Sequence, residues 1–152
     1  MSRSVAIRIR NEISELATLR DALDSLGNEV GVPAPALMQL QVALDEIASN
    51  VIKYSCPDGS DPGLLVRITA QAEKVTLKII DDGVPFDPRD APEPDRAEAD
   101  RRPRPGGRGI HMIRQLVDRI AYRRINGRNH TTLTKKCGVG AFSKSGVSDE
   151  QQ

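Results

Sequence analysis

The stretch "LLVRITAQAEKVTLKIIDDG", residues 64–83, decides the fold class. Leu64–Gln71 and Val75–Asp81 are both rich in β-branched and aliphatic residues. A short turn around Glu73 separates them, so the simplest arrangement is an antiparallel hairpin. In the second run Val75, Leu77 and Ile79 share a face, and the two-residue period carries Asp81 onto that same inward face. A carboxylate is thus aimed at the apolar side of a sheet. Buried without a partner it costs several kcal/mol, so it needs a donor from the protein or from a ligand amine such as the exocyclic amino group of adenine. Asp81 equally fits a turn-capping role in "DDGVP", and this segment alone leaves both readings open.

Working outward, Ser4–Arg10 alternates Val5, Ile7 and Ile9 with Ala6 and the charged Arg8 and Arg10, which predicts a strand, and Glu12–Val30 switches to helical spacing. After the breaker "GVPAP" a second helix is expected over Pro35–Ser55. Leu37, Leu40, Leu44, Ile47 and Val51 form its apolar stripe, and "CPDGSDPG" stops it. Downstream, Pro88–Pro105 has almost no large apolar side chain and reads as a loop, and Gly109–Asp118 reads as a third helix. "RIAYRRI" and "HTTLTKK" flank Asn126-Gly127, a strong signal for a final hairpin. Strands and helices mix without the alternation of a parallel sheet. The expected fold is α+β, a two-layer sandwich with three main helices on one face of a mixed, mainly antiparallel sheet. One domain is expected over residues 1–137, with a flexible tail over 138–152.

The chain has 152 residues, 38% of them hydrophobic, which suits one domain with a real core. Its 22 Lys and Arg against 21 Asp and Glu give no overall reason to expect nucleic acid or a membrane surface as the main partner. No apolar run approaches the roughly 20 residues of a membrane span, and a cytoplasmic location is expected. Cys56 and Cys137 have no metal-ligand spacing and read as structural or incidental thiols.

On the second helix Glu46 and Asn50 lie about 40° apart, roughly opposite the apolar stripe, with Lys53 beside them. Read alone, this is a solvated polar face. In "PGGRGIHMI" Gly106, Gly107 and Gly109 sit where a loop becomes a helix. Free backbone N–H groups there suit phosphate oxygens, although glycine also serves as a plain loop element.

Together these features say more. A helix with E-x-x-x-N, a strand ending in D-x-G and a loop-to-helix G-x-G, in that order, resemble the Bergerat-fold (GHKL) ATPases, the group of gyrase and the histidine kinases. "LDEIASNVIKYS", "IIDDGVPFDP" and "GGRGIHMIRQLVD" are similar to its small stand-alone branch, the anti-sigma factor serine-protein kinases of bacterial partner switching. The resemblance implies ATP and Mg²⁺ as cofactors. It gives Glu46 the general-base role, Asn50 the Mg²⁺, and Lys53 a reach to the phosphates. Asp81 reads the adenine amino group, Gly83 keeps the strand end open to the base, Gly107 and Gly109 offer N–H groups to phosphate, and Thr131 helps hold the adenine site. Residues 88–105 become the ATP lid, with Arg104 or Arg108 as the γ-phosphate contact. His130 stands where relatives usually have glycine and reads as a surface strand residue.

The resemblance further implies a serine/threonine-protein kinase that phosphorylates a STAS-domain anti-anti-sigma protein and otherwise sequesters a sigma factor or similar target. No direct nucleic-acid or membrane partner is expected, and a homodimer is possible. Arg20, outside the Leu16/Leu19/Leu23 stripe of the first helix, is the expected partner contact, an ordinary surface arginine being the plainer reading. Two alternatives stay open: a non-catalytic ATP-binding switch that grips partners by nucleotide state, and an α+β interaction domain that binds no nucleotide.

Overall fold

The computed structural model describes residues 1–56, 58–61, 63–90 and 107–138, with side chains in the last stretch from Gly109 onward. The strands are β1 (Arg3–Ile9), β2 (Leu64–Gln71), β3 (Lys74–Asp81), β4 (Arg119–Ile125) and β5 (Arg128–Lys136). The helices are α1 (Leu16–Val30), α2 (Ala34–Tyr54) and α3 (Gly107–Leu116). The sheet order is β1-β2-β3-β5-β4, and every pairing is antiparallel, so the sheet expected to be mixed is purely antiparallel.

Local chemistry explains most boundaries. The stretch expected to begin a helix at Glu12 first makes a single 3₁₀ turn, Ile13–Glu15, before α1. Gly31 ends α1 in the left-handed region, φ +84°, where a side chain is strained. Pro35, in the first turn of α2, has no N–H that the helix would use. Asn126 and Gly127 both have positive φ, 50° and 77°, as the twist-matching two-residue hairpin turn requires. The third helix stops at Leu116 rather than Asp118, because Asp118 N–H already donates to Thr134 O at 2.9 Å and leads into β4.

All three helices pack on one face. Leu19, Leu23, Leu40, Leu44, Ile110 and Ile113 are fully buried, against Val66, Ile68, Leu77, Ile79 and Leu133 of the sheet. Each such side chain contributes about 1.5–3 kcal/mol relative to an exposed position. α1 and α2 cross closely at Gly27, where a Cβ would come 2.7 Å from Leu37 Cδ1. α2 lies between α1 and α3, with its C-terminal half against α3. Of the expected lid, residues 88–105, only Pro88–Asp90 is described, as one 3₁₀ turn, and of the expected tail only Gly138 is.

Candidate nucleotide site

The inward period of β3 continues to its end. Val75, Leu77 and Ile79 are buried, and Asp81 follows them at 5% exposure. Asp81 pairs in register with Asn129 of β5, itself 3% exposed, and the two side chains meet: Asn129 Nδ2 donates to Asp81 Oδ1 at 3.0 Å. Gly83 N–H donates to the same oxygen at 2.9 Å, and Oδ2 accepts no hydrogen bond among the described residues. Burial pushes the Asp81 carboxyl above the usual aspartate value. Asn129, the Gly83 amide and the Arg124 charge pull it back down, and Asp82 pushes it up. The carboxylate is held in place with one oxygen uncommitted, which suits a ligand amine.

Asn129 is the hub of this end of the sheet. Its Nδ2 also donates to Val84 O at 2.8 Å, and its Oδ1 accepts from Tyr122 Oη and, at 3.0 Å, from Arg124 Nη1. Arg124 Nη1 donates to Gly83 O at 2.7 Å, and Val84 N–H donates to Ser55 O at 2.9 Å. The loop after β3 is thereby tied to β4, to β5 and to the end of α2. Gly83 is required by that closeness: a Cβ there would collide with Ser55 Cβ and lie 2.5 Å from Ser55 O. Packing against Ser55 is thus a reason for glycine at this position that is separate from the sequence reading of Gly83 as an open end for a base.

The sequence placed Thr131 at the start of the last strand, as a holder of the site. It lies further along β5, buried and beside Ile79, one inward step from Asp81. The residue that contacts Asp81 is Asn129, which sequence reasoning missed. Stepping back two residues from Thr131 along the same inward face would have found it. His130 points to the other face, half-buried, opposite Ile80 and Arg123.

The Glu46 and Asn50 face is a correction. It does not stand opposite the core in solvent; both residues are half-buried, and Glu46 packs against Gly109 of α3. Glu46 Oε2 lies 2.5 Å from where a Cβ on Gly109 would stand, so glycine in the first turn of α3 makes room for the carboxylate. The Asn50 side chain makes no hydrogen bond among the described residues, and its Nδ2 is buried without a partner. An amide with both ends uncommitted is the kind of side chain a ligand completes. Lys53, one turn on, is exposed. Arg20 makes two hydrogen bonds to Asp45 of α2, at 2.9 and 3.0 Å, and Gln41 Nε2 donates to Arg20 O at 2.9 Å and to Asp24 at 2.8 Å. Arg104 and the side chain of Arg108 lie outside the described residues, as do contacts of Gly107 beyond its place at the start of α3.

The fit to a nucleotide rests on two features: a buried carboxylate with a free oxygen at the β3 terminus, and an uncommitted amide one turn along α2 from Glu46, the residue that meets the glycine at the start of α3. Among the described residues no three His, Cys, Asp or Glu gather as a metal cage. Mg²⁺ needs no such cage, since it commonly takes one or two protein oxygens and completes its shell with phosphate and water. Asn50 fits that donor set.

An α+β sandwich with these two candidate half-sites fits a nucleotide-binding domain. The chain belongs to the histidine kinase-like ATPase domain family, which matches residues 9–135, and ATP binding follows from that membership. It is 30% identical over 95 residues to the serine/threonine-protein kinase BtrW of Bordetella bronchiseptica, covering 62% of this chain and 67% of that one. The crystal structure of the RsbU and RsbW domains of a Mycobacterium tuberculosis protein superposes with a TM-score of 0.63 at 18% identity. That match covers 88% of this chain and 32% of the larger one, and it bears on fold alone. No described helix is long and apolar enough to cross a membrane.

Proposed function

We propose that this chain is an ATP-dependent serine/threonine-protein kinase and anti-sigma-type regulator, which phosphorylates a STAS-domain antagonist and otherwise holds a sigma factor or similar target. The observation that carries the kinase reading is the Glu46 carboxylate packed against Gly109: a base stands at the helix start where the terminal phosphates would lie. The named activity of the Bordetella relative supports the same reading. Asp81 Oδ2 accepts from the adenine amine, with Thr131 beside it. Gly107, Gly109, Lys53 and Arg104 or Arg108 face the phosphates. Asn50 holds Mg²⁺, which neutralises charge on the phosphates when bound. Residues 88–105 act as the lid within a domain spanning 1–137.

In the reaction the acceptor hydroxyl oxygen forms a bond to the γ-phosphorus as the bond from that phosphorus to the β,γ-bridging oxygen breaks. ADP leaves, and Glu46 takes the hydroxyl proton. Positioning supplies most of the rate. The added phosphate, about −1.5 to −2 in charge, then disrupts an interface built around a neutral serine. Arg20 docks the partner by exchanging Asp45 for a carboxylate of that partner.

The test is transfer of label from γ-labelled ATP to a STAS-domain protein encoded near this chain, in wild type and Glu46→Ala. Transfer that disappears in Glu46→Ala while ATP binding persists supports the kinase. Wild type that binds ATP but labels no candidate turns the reading to the non-catalytic switch.

A further inference from the structure

Helices cover one side of the sheet, and no described element covers the other. Strand alternation and register place Arg8, Arg67, Lys74, Lys78, Arg119 and Arg123 on that open side, and the outward positions of the five strands hold no Asp or Glu. In a chain with a net charge of only +1, this is a marked segregation of sign. None of these six cations pairs with a carboxylate among the described residues. The carboxylates that do meet cations of the strands stand at the margins, as Asp82 does with Arg128 and Glu29 with Arg3.

The arrangement carries a cost. Arg67 stands directly opposite Lys78 in the β2–β3 ladder, a like-charge cross-strand pair that weakens a sheet. His130 reports the same field: burial lowers its pKa first, and Lys78 and Arg128 lower it further against the opposing pull of Asp81. Its Nδ1 is buried with no partner. Between the cations lie Thr69, which shares a hydrogen bond with Ser4 at 3.2 Å, and Thr76, Thr132 and Thr134, hydroxyls of a kind that can donate to carboxylates without adding charge.

We propose that the open face of the sheet docks an acidic protein surface. Charge complementarity requires an anionic occupant, and three features select protein. The outward positions include no Phe, Tyr or Trp on which single-stranded bases would stack. The face presents sheet strands, and among the described residues no helix or ribbon projects from it to enter a duplex groove. A second copy seated by the same face would set cations against cations. The partner therefore brings clustered Asp and Glu, and the face is separate from the nucleotide site on the helix side.

The probe is fluorescein-labelled poly-L-glutamate, followed by anisotropy at about 0.05 and 0.2 M salt. Wild type binds, and affinity falls steeply with salt. Arg67→Gln/Lys78→Gln loses about tenfold in affinity. The equally charged control Arg3→Gln/Arg10→Gln, which removes cations from the helix side and the strand end, stays within about twofold of wild type. ATP affinity unchanged in both variants establishes that they are folded. Equal losses in the two variants, no binding by wild type, or tighter binding of a labelled DNA duplex than of polyglutamate would each overturn the proposal.

Discussion

Asp81 is buried as a carboxylate with its pKa raised, and the sign of that shift separates stability from binding. A raised folded-state value stabilises the fold only where the group is protonated. That contribution is complete below the ordinary aspartate value of 3.8 and is lost as pH rises through the higher folded value. At neutral pH the ionised side chain therefore weighs against the ligand-free fold. Asp81→Asn keeps an oxygen to accept from Asn129 and Gly83 and removes the charge. Its melting temperature without nucleotide at pH 7 should equal or exceed that of wild type. Its ATP affinity by calorimetry should fall at least about tenfold, since an amide N–H would then face the adenine amine. In wild type, ATP affinity should weaken on acidification at a higher pH than an ordinary aspartate would give. The two site glycines should diverge. Gly109→Ala pushes only the end of a flexible Glu46 side chain, so stability holds while phosphoryl transfer drops. Gly83→Ala meets the Ser55 backbone and should cost about 1–3 kcal/mol in urea unfolding.

Among the elements, β5 contributes more than its sequence announced. Periodicity placed Asp81 inward without any structure, because every second residue before it, Val75, Leu77 and Ile79, is aliphatic. Asn129 stayed hidden because its role depends on which strand lies beside β3, and that pairing joins residues 48 apart in the chain. Asn129→Ala should remove the donor to Asp81 and Val84 and the acceptor for Tyr122 and Arg124, costing about 1–3 kcal/mol. ATP affinity should fall with it although Asn129 need not touch the nucleotide. The polar face of α2 shows the opposite limit of sequence reading. Helical angles put Glu46 and Asn50 together correctly, but only the packing of α3 reveals that the face is covered. The α1–α2 clasp of Arg20 and Asp45 is half-exposed, so Asp45→Ala should change thermal stability by less than about 1 kcal/mol. If Arg20 docks a partner, the same substitution, by freeing the guanidinium, should measurably alter partner affinity in a pull-down titration.

For the whole molecule, saturating Mg·ATP should raise the melting temperature, since a ligand at 100 times its Kd adds about 2.7 kcal/mol to stability. No shift with nucleotide would return the chain to a plain interaction domain. The element order and the two-layer plan were legible because each element carries a clean period and the turn residues mark its ends. The sheet order was not: β1 pairs with β2 across both intervening helices, a contact that no local pattern encodes.

The union of β3 with β5 has one more consequence. Asp81 and Asn129 belong to adjacent strands, yet residues 91–106 lie between them in the chain. The Asp81 end of the proposed site is therefore closed by strand pairing and not by continuity of the backbone. A single proteolytic cut within 91–106 should leave two fragments that migrate as one species on size exclusion, held by the β3–β5 ladder and the shared core. That nicked complex should still bind adenosine, while its grip on the triphosphate is lost.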